Sequence, residues 1–184
     1  FRDKITLKPI DFKYHDQSQL TLDNIELEIK KGSCVGLIGE TGSGKSTLLD
    51  ILMGLLLPNN GNIVIDNTVI DNKNYRNWQA NIAHVPQNIY LSDSSIAQNI
   101  AFGVNPKDID YERVKDACKK AKIDTIINTW PDGYNSDVGE RGVKISGGQK
   151  QRIGLARAIY KGATVLVLDE ATSALDNDTE AEVM

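Results

Sequence analysis

Apolar residues along the first third of the chain come in short bursts between turn formers. Lys4 to Leu7, Ile10 to Tyr14 and Ile25 to Ile29 alternate or cluster in this way, which predicts three short strands. Ser33 to Ile38 is a compact apolar run, read as a strand leading straight into the glycine-rich stretch GETGSGKS. From Ser46 to Leu57 the period changes. Leu48, Leu49, Leu52 and Leu56 form one stripe, so the spacing predicts a helix ending before Pro58. Asn62–Ile65 and Thr68–Ile70 read as a hairpin around Asp66-Asn67, and Ile82–Val85 as a buried strand. After Pro86 the pattern turns helical. Between Ser94 and Ala121, Tyr111, Val114, Cys118 and Ala121 recur at helix spacing, with Lys and Asp between them. Pro131, Gly133, Gly139 and Gly142 then mark a long irregular loop. A helix follows from Ser146 to about Tyr160, and TVLVL, Thr164–Leu168, is the most strand-like segment of all. The order predicts an α/β core with a parallel sheet carrying a helical insert.

Composition narrows the picture. With 184 residues, 40% hydrophobic and 25% charged, the chain has enough apolar mass for a core. Its net charge of −4 excludes a global field that would draw nucleic acid, so any anion must be caught locally. The two cysteines, Cys34 and Cys118, stand apart in apolar surroundings and are read as buried reduced thiols of a cytosolic compartment. No apolar run is long enough to span a bilayer. The chain starts without Met and stops in a charged segment, which is read as part of something longer.

Three stretches carry chemistry. Gly39, Gly44, Lys45 and Ser46 fit G-x-x-x-x-G-K-[ST] between a predicted strand and a predicted helix. In that setting main-chain N–H groups, which side chains at Gly42 and Gly44 would obstruct, wrap a phosphate chain at a positive helix end. Lys45 supplies a mobile charge for the β- and γ-phosphates, and the Ser46 hydroxyl can ligate Mg²⁺. VLVLDE leaves Asp169 and Glu170 at the carboxyl end of a strand, where ligands of such folds gather. Asp169 suits Mg²⁺ held through water, and Glu170 suits polarising an attacking water, or else capping the next helix. Third, Ser146 heads a helix whose Gly147-Gly148 pair exposes backbone N–H groups, giving a second anion site or an ordinary cap.

Taken together, the stretches GETGSGKS, VPQ with Gln87, ISGGQ, VLVLDE and SALD (Ser173 to Asp176) stand in one order. In that order the whole chain resembles the nucleotide-binding domain of ATP-binding cassette (ABC) transporters. ISGGQ is the most specific stretch, and its only departure from the family's LSGGQ is the apolar Ile145. The resemblance implies a P-loop NTPase (RecA-like) core with a mostly parallel sheet, an N-terminal antiparallel β subdomain and a helical subdomain. The ATP-binding core would take residues 1–87 and 156–184, and the helical subdomain 88–155.

It also implies roles. ATP would be held by Tyr14, stacked on adenine, by Gly39, Thr41, Gly42, Ser43, Gly44, Lys45, Ser46 and Thr47, and by Ser146, Gly147, Gly148 and Gln149. Mg²⁺ would be held by Ser46, Gln87 and Asp169, with Glu170, Lys45 and Gln87 catalytic. Tyr14 also suits a plain hydrophobic strand position. Two copies would pair head to tail, so that Ser146 and Gly148 of one close over ATP in the other, with Asp176 at the interface. VGERG, Val138–Gly142, resembles the exporter loop that meets the coupling helices of a transmembrane domain, although Glu140 and Arg141 also suit a solvated turn. The expected partners are thus a transmembrane domain, of the same or a partner chain, and a second nucleotide-binding domain. The expected place is the cytoplasmic face of a membrane, with the segment itself soluble. The family's histidine beyond the catalytic glutamate is missing, since His15 and His84 both lie upstream, and this is read as C-terminal truncation. The alternatives are a non-transport ABC-type ATPase, or an ATP-binding switch without turnover. No sustained heptads, such as a DNA-repair member would insert, separate Lys45 from Ser146.

Overall fold

β1 (Lys4–Phe12) and β2 (Leu22–Lys30) pair antiparallel, with Lys4 opposite Lys30 and Phe12 opposite Leu22. The structure is a computed structural model and describes residues 1–15 and 18–169. Alternation along β1 buries Ile5, Leu7, Ile10 and Phe12. The two strands expected around Lys8-Pro9 are one strand. Its register shifts between Leu7 and Ile10, where Pro9 cannot donate to a ladder and the chain bulges. β3 (Asn60–Ile65) lies along the other side of β1, pairing Ile5 with Ile65 and Lys8 with Asn62. Gly61, at φ +82°, crosses the bulge so closely that a Cβ would overlap the Pro9 carbonyl. β4 (Thr68–Val69) closes the hairpin around Asp66-Asn67, with Asp66 in the left-handed region at φ +55°. The sheet order is β2-β1-β3-β4.

α1 (Lys45–Leu52) stops one turn earlier than the leucine stripe predicts. Gly54, at φ +68°, donates to the Ile51 carbonyl, and Leu55 donates back to Asp50. This pair of bonds is a Schellman stop, and glycine permits it because its Cβ-free backbone enters the left-handed region without strain. The short α2 (Tyr75–Gln79), which the hydrophobic pattern did not announce, buries Trp78, whose indole N–H donates to the Leu52 carbonyl at 2.8 Å. One of α1's end carbonyls is thereby satisfied.

Ser33–Ile38 is a correction. The predicted strand has no ladder pairing among the described residues; all of it but the half-buried Leu37 is exposed, and Ile38 is 100% exposed. The cause lies just before it. Ser33 donates its N–H to Lys30 while Gly32 takes φ +78°, a turn that swings the chain off the sheet edge at β2. Cys34, expected to be buried, is therefore exposed.

The described chain divides into two compact units, one ending at Ile82 and the other starting at Ala83. β5 (Ile82–Val85), whose first residue closes the first unit, pairs with β6 (Val165–Leu168). All but that residue of β5 belongs to the second unit. Its helices are α3 (Ile96–Ile100), α4 (Tyr111–Lys120), α5 (Asp124–Ile127) and the long α6 (Gly147–Lys161), with α3 and α4 packed on α6. Val114, Cys118 and Ala121 fall inward as their spacing predicts, against Ile96, Ile100, Ile127 and Ile153, while Tyr111 stays exposed. Burial, reinforced by the charge of Asp124, pushes the Cys118 thiol up to about 12, which keeps it inert. Among the described residues no helix is long and apolar enough to cross a membrane.

Candidate functional site

In the first unit the glycine stretch forms a turn that feeds directly into α1. Ser43 donates its N–H to Glu40, and Gly44 caps the helix at φ +88°. A side chain at Gly44 would be strained there and would stand 2.9 Å from the Thr21 carbonyl and 2.8 Å from Leu22 Cδ2. The first helical bond of α1 runs from the Leu48 N–H to the Gly44 carbonyl at 2.8 Å, so the N–H groups of Lys45, Ser46 and Thr47 ahead of it have no partner within the helix. The Lys45 ammonium folds over that loop and donates to the carbonyls of Gly39 and Glu40, each at 2.8 Å. Thr41, Gly42, Ser43 and Ser46 are exposed, and no atom lies within 4 Å of where a Gly42 side chain would be. A cation, a helix N-terminus and an open glycine turn together suit a phosphate chain.

Tyr14 lies beside this turn. Its hydroxyl shares a hydrogen bond of 3.1 Å with the Thr47 hydroxyl, and its ring stands edge-on to Phe12, centroids 5.0 Å apart. The residue remains 39% exposed.

The remaining predicted residues lie in the second unit. Ser146 caps α6 with a full capping box, accepting from the Gln149 N–H at 3.3 Å while its own N–H donates to Gln149 Oε1 at 3.0 Å. Gly147 is exposed and Gly148 half-buried, so the helix start is open to solvent. Ile145 sits buried beneath it, the anchoring role that an apolar residue serves there. The Gln87 side chain is exposed, and its main-chain carbonyl accepts from Gln151 Nε2 at 2.8 Å. Asp169 follows β6 directly, half-buried, with its N–H on the Val85 carbonyl at 3.0 Å. In VGERG, Val138 is fully buried, Gly139 takes φ +72°, and Glu140 stands exposed on a single 3₁₀ turn. Glu170 and Ser173–Asp176 lie outside the described residues.

A phosphate-type turn at Lys45 and a serine-capped glycine pair on a second helix are two anion-ready helix starts in one chain. The family model described as "ABC transporter" matches residues 22–173, which takes in both. The chain belongs to the ABC transporter family. Relatives of this ABC transporter chain include the "ATP-dependent lipid A-core flippase" of Ralstonia nicotianae, 38% identical over 99% of the chain and 31% of that protein. The protein of that name from Saccharophagus degradans is 42% identical over 99% of the chain and 30% of its own length. "ABC transporter B family member 29, chloroplastic" of Arabidopsis thaliana is 41% identical over 96% of the chain and 28% of that protein. Among solved structures, one titled "Structure of a bacterial Atm1-family ABC exporter with ATP bound" matches with a TM-score of 0.90 at 36% identity. It covers 99% of this chain, which spans 31% of the matched one. The chain thus spans about a third of the length of the relatives it matches. Membership brings the P-loop NTPase fold and a nucleotide site with it.

One residue with a place in this geometry escaped the pattern reading. Gln151, in the second turn of α6, is buried with the apolar residues of the helix although it is polar. Its spacing from Leu155 and Ala158, four and seven positions on, was the available signal.

Proposed function

We propose that this chain is the ATP-hydrolysing motor segment of an ABC exporter, acting at the cytoplasmic face of a membrane beside a transmembrane domain. The observation that carries the reading is the Gly44–Lys45–Ser46 helix start, with a mobile ammonium resting on two loop carbonyls. An incoming triphosphate exchanges those neutral acceptors for anionic oxygens, which make stronger, charge-assisted bonds.

In this reading the Lys45 ammonium and the α1 amides hold the β- and γ-phosphates, with Gly39, Thr41, Gly42, Ser43, Gly44 and Thr47 shaping the cradle. Tyr14 stacks on the base. Ser46, Gln87 and Asp169 offer oxygen donors to Mg²⁺, which supplies neutralisation of the phosphate charge when bound. Among the described residues no cluster of three or more acidic, His or Cys side chains could hold a cation alone. Mg²⁺ is characteristically bound by one or two protein oxygens and the substrate's phosphates. Glu170 accepts a proton from the attacking water. Ser146, Gly147, Gly148 and Gln149 of a second copy close over the nucleotide, in a head-to-tail pair. Residues 88–155 form the helical subdomain, and 1–87 with 156–184 the core. The names of the relatives, flippases and exporters that are ATP-dependent or hold ATP, support the direction of transport.

Lys45→Ala tests the reading by calorimetry with Mg-ATP. Withdrawing two charge-assisted bonds is expected to weaken affinity on the order of a hundredfold. Unchanged affinity would remove the assignment.

A further inference from the structure

The loop after Pro86 does not merely pass α6 but is fastened to it at three points. Gln151 Nε2 donates to the Gln87 carbonyl at 2.8 Å. Three residues on, Gly154 lets Ile89 lie so close that an added Cβ would stand 2.5 Å from Ile89 Cδ1 and 3.1 Å from its Cγ1. Three further on, Arg157 Nη2 donates to the Tyr90 carbonyl at 3.0 Å, while its Nε holds the Asn99 carbonyl at 2.8 Å. Steps of three keep Gln151, Gly154 and Arg157 near one face of the helix. The loop from Gln87 to Tyr90 is laid along that face.

Gln151 is the unusual member. It is 8% exposed, and its Oε1 is buried with no hydrogen-bond partner among the described residues. Burying a bare amide oxygen is unfavourable, and an apolar side chain of the same shape would avoid it. What a glutamine supplies here and an apolar residue would not is the Nε2 bond to the Gln87 carbonyl. We propose that Gln151 is a positioning residue that ties the main chain of Gln87 to the helix headed by Ser146, so that displacement of that helix carries Gln87 with it. Its consequence for turnover rests on the ATPase reading above; the tether itself does not.

Two variants in the whole protein test this. Gln151→Glu keeps the shape, and an ionised carboxylate has no proton to donate, but a protonated one restores the bond. Burial raises the pKa of such a carboxyl. Gln151→Glu is expected to show a kcat reduced by roughly tenfold at alkaline pH with an unchanged KM for ATP, recovering as pH falls. Gln151→Leu stays low at every pH. Amide exchange of residues 87–90, measured without nucleotide, quickens in Gln151→Leu while the rest of α6 keeps its protection. A flat deficit in Gln151→Glu equal to that of Gln151→Leu, parental kcat in both, or unchanged exchange at residues 87–90 overturns the proposal. Loss of the ATPase reading announces itself separately, as a Lys45→Ala variant with parental affinity.

Discussion

Lys45 and Asp66 show how much a single charge can do when main-chain groups surround it. Asp66, at φ +55°, accepts the N–H groups of Arg2, Asp3 and Lys4 at 2.8 to 3.1 Å, which pins the start of β1 to the β3–β4 turn. Those bonds, that of Asp3 first, hold its carboxyl below the ordinary value of 3.8. The folded pKa is the lower one, so this stabilisation is complete above the unfolded value and is lost as pH falls through the folded one. Asp66→Asn keeps an acceptor and tolerance of the left-handed region but removes the charge. The variant is expected to melt below the parent at neutral pH, with the difference closing as pH falls below the ordinary carboxyl value of 3.8. A gap independent of pH would show that the charge is irrelevant. Asp66-Asn67 was legible in the sequence because a two-residue acidic turn between apolar runs has few other uses. The three donors that Asp66 gathers, some sixty positions away, leave no local trace.

Elements were legible where the signal was local and failed where neighbours decide. The capping box at Ser146 and Gln149 is such a local signal, and the helix begins where it directs. The Ser33–Ile38 run has a strand's composition, yet the turn at Gly32 removes it from the sheet. Likewise Gly54 ends α1 before the leucines are used up, because the stop depends on backbone bonds that hydrophobic spacing does not encode. Cap and proposed phosphate contact can be separated at Ser146. Alanine there should lower stability by about 1 kcal/mol, but glycine by only a few tenths, since glycine is itself a tolerable cap. Both remove the hydroxyl. Thermal melts are expected to distinguish the two variants while their ATPase rates fall together. Rates that track the melting temperatures instead would reduce Ser146 to a cap.

For the whole molecule the order of motifs was enough to reach the family, because each anion-ready turn has a specific sequence and the two rarely occur together. Lys45 belongs to the first unit and Ser146 to the second, and each turn presents its donors outward at a helix start. In the proposed pairing, a triphosphate held at Lys45 is met on its other face by a second copy's Ser146 turn. The net charge of −4 works against two like chains meeting, so the attraction in the proposed pairing is local, between the γ-phosphate oxygens and the second copy's Ser146 turn. Association should then last only while the γ-phosphate does. Glu170→Gln keeps the size of the side chain but cannot accept the water's proton, so ATP persists in the joint. By light scattering, the variant with Mg-ATP is expected at twice the mass found with ADP, and the parent at the doubled mass only until its ATP is spent. If the variant stays at single mass with ATP, the closure over a second copy fails. If it hydrolyses at the parental rate, the proton acceptor is some other group than Glu170.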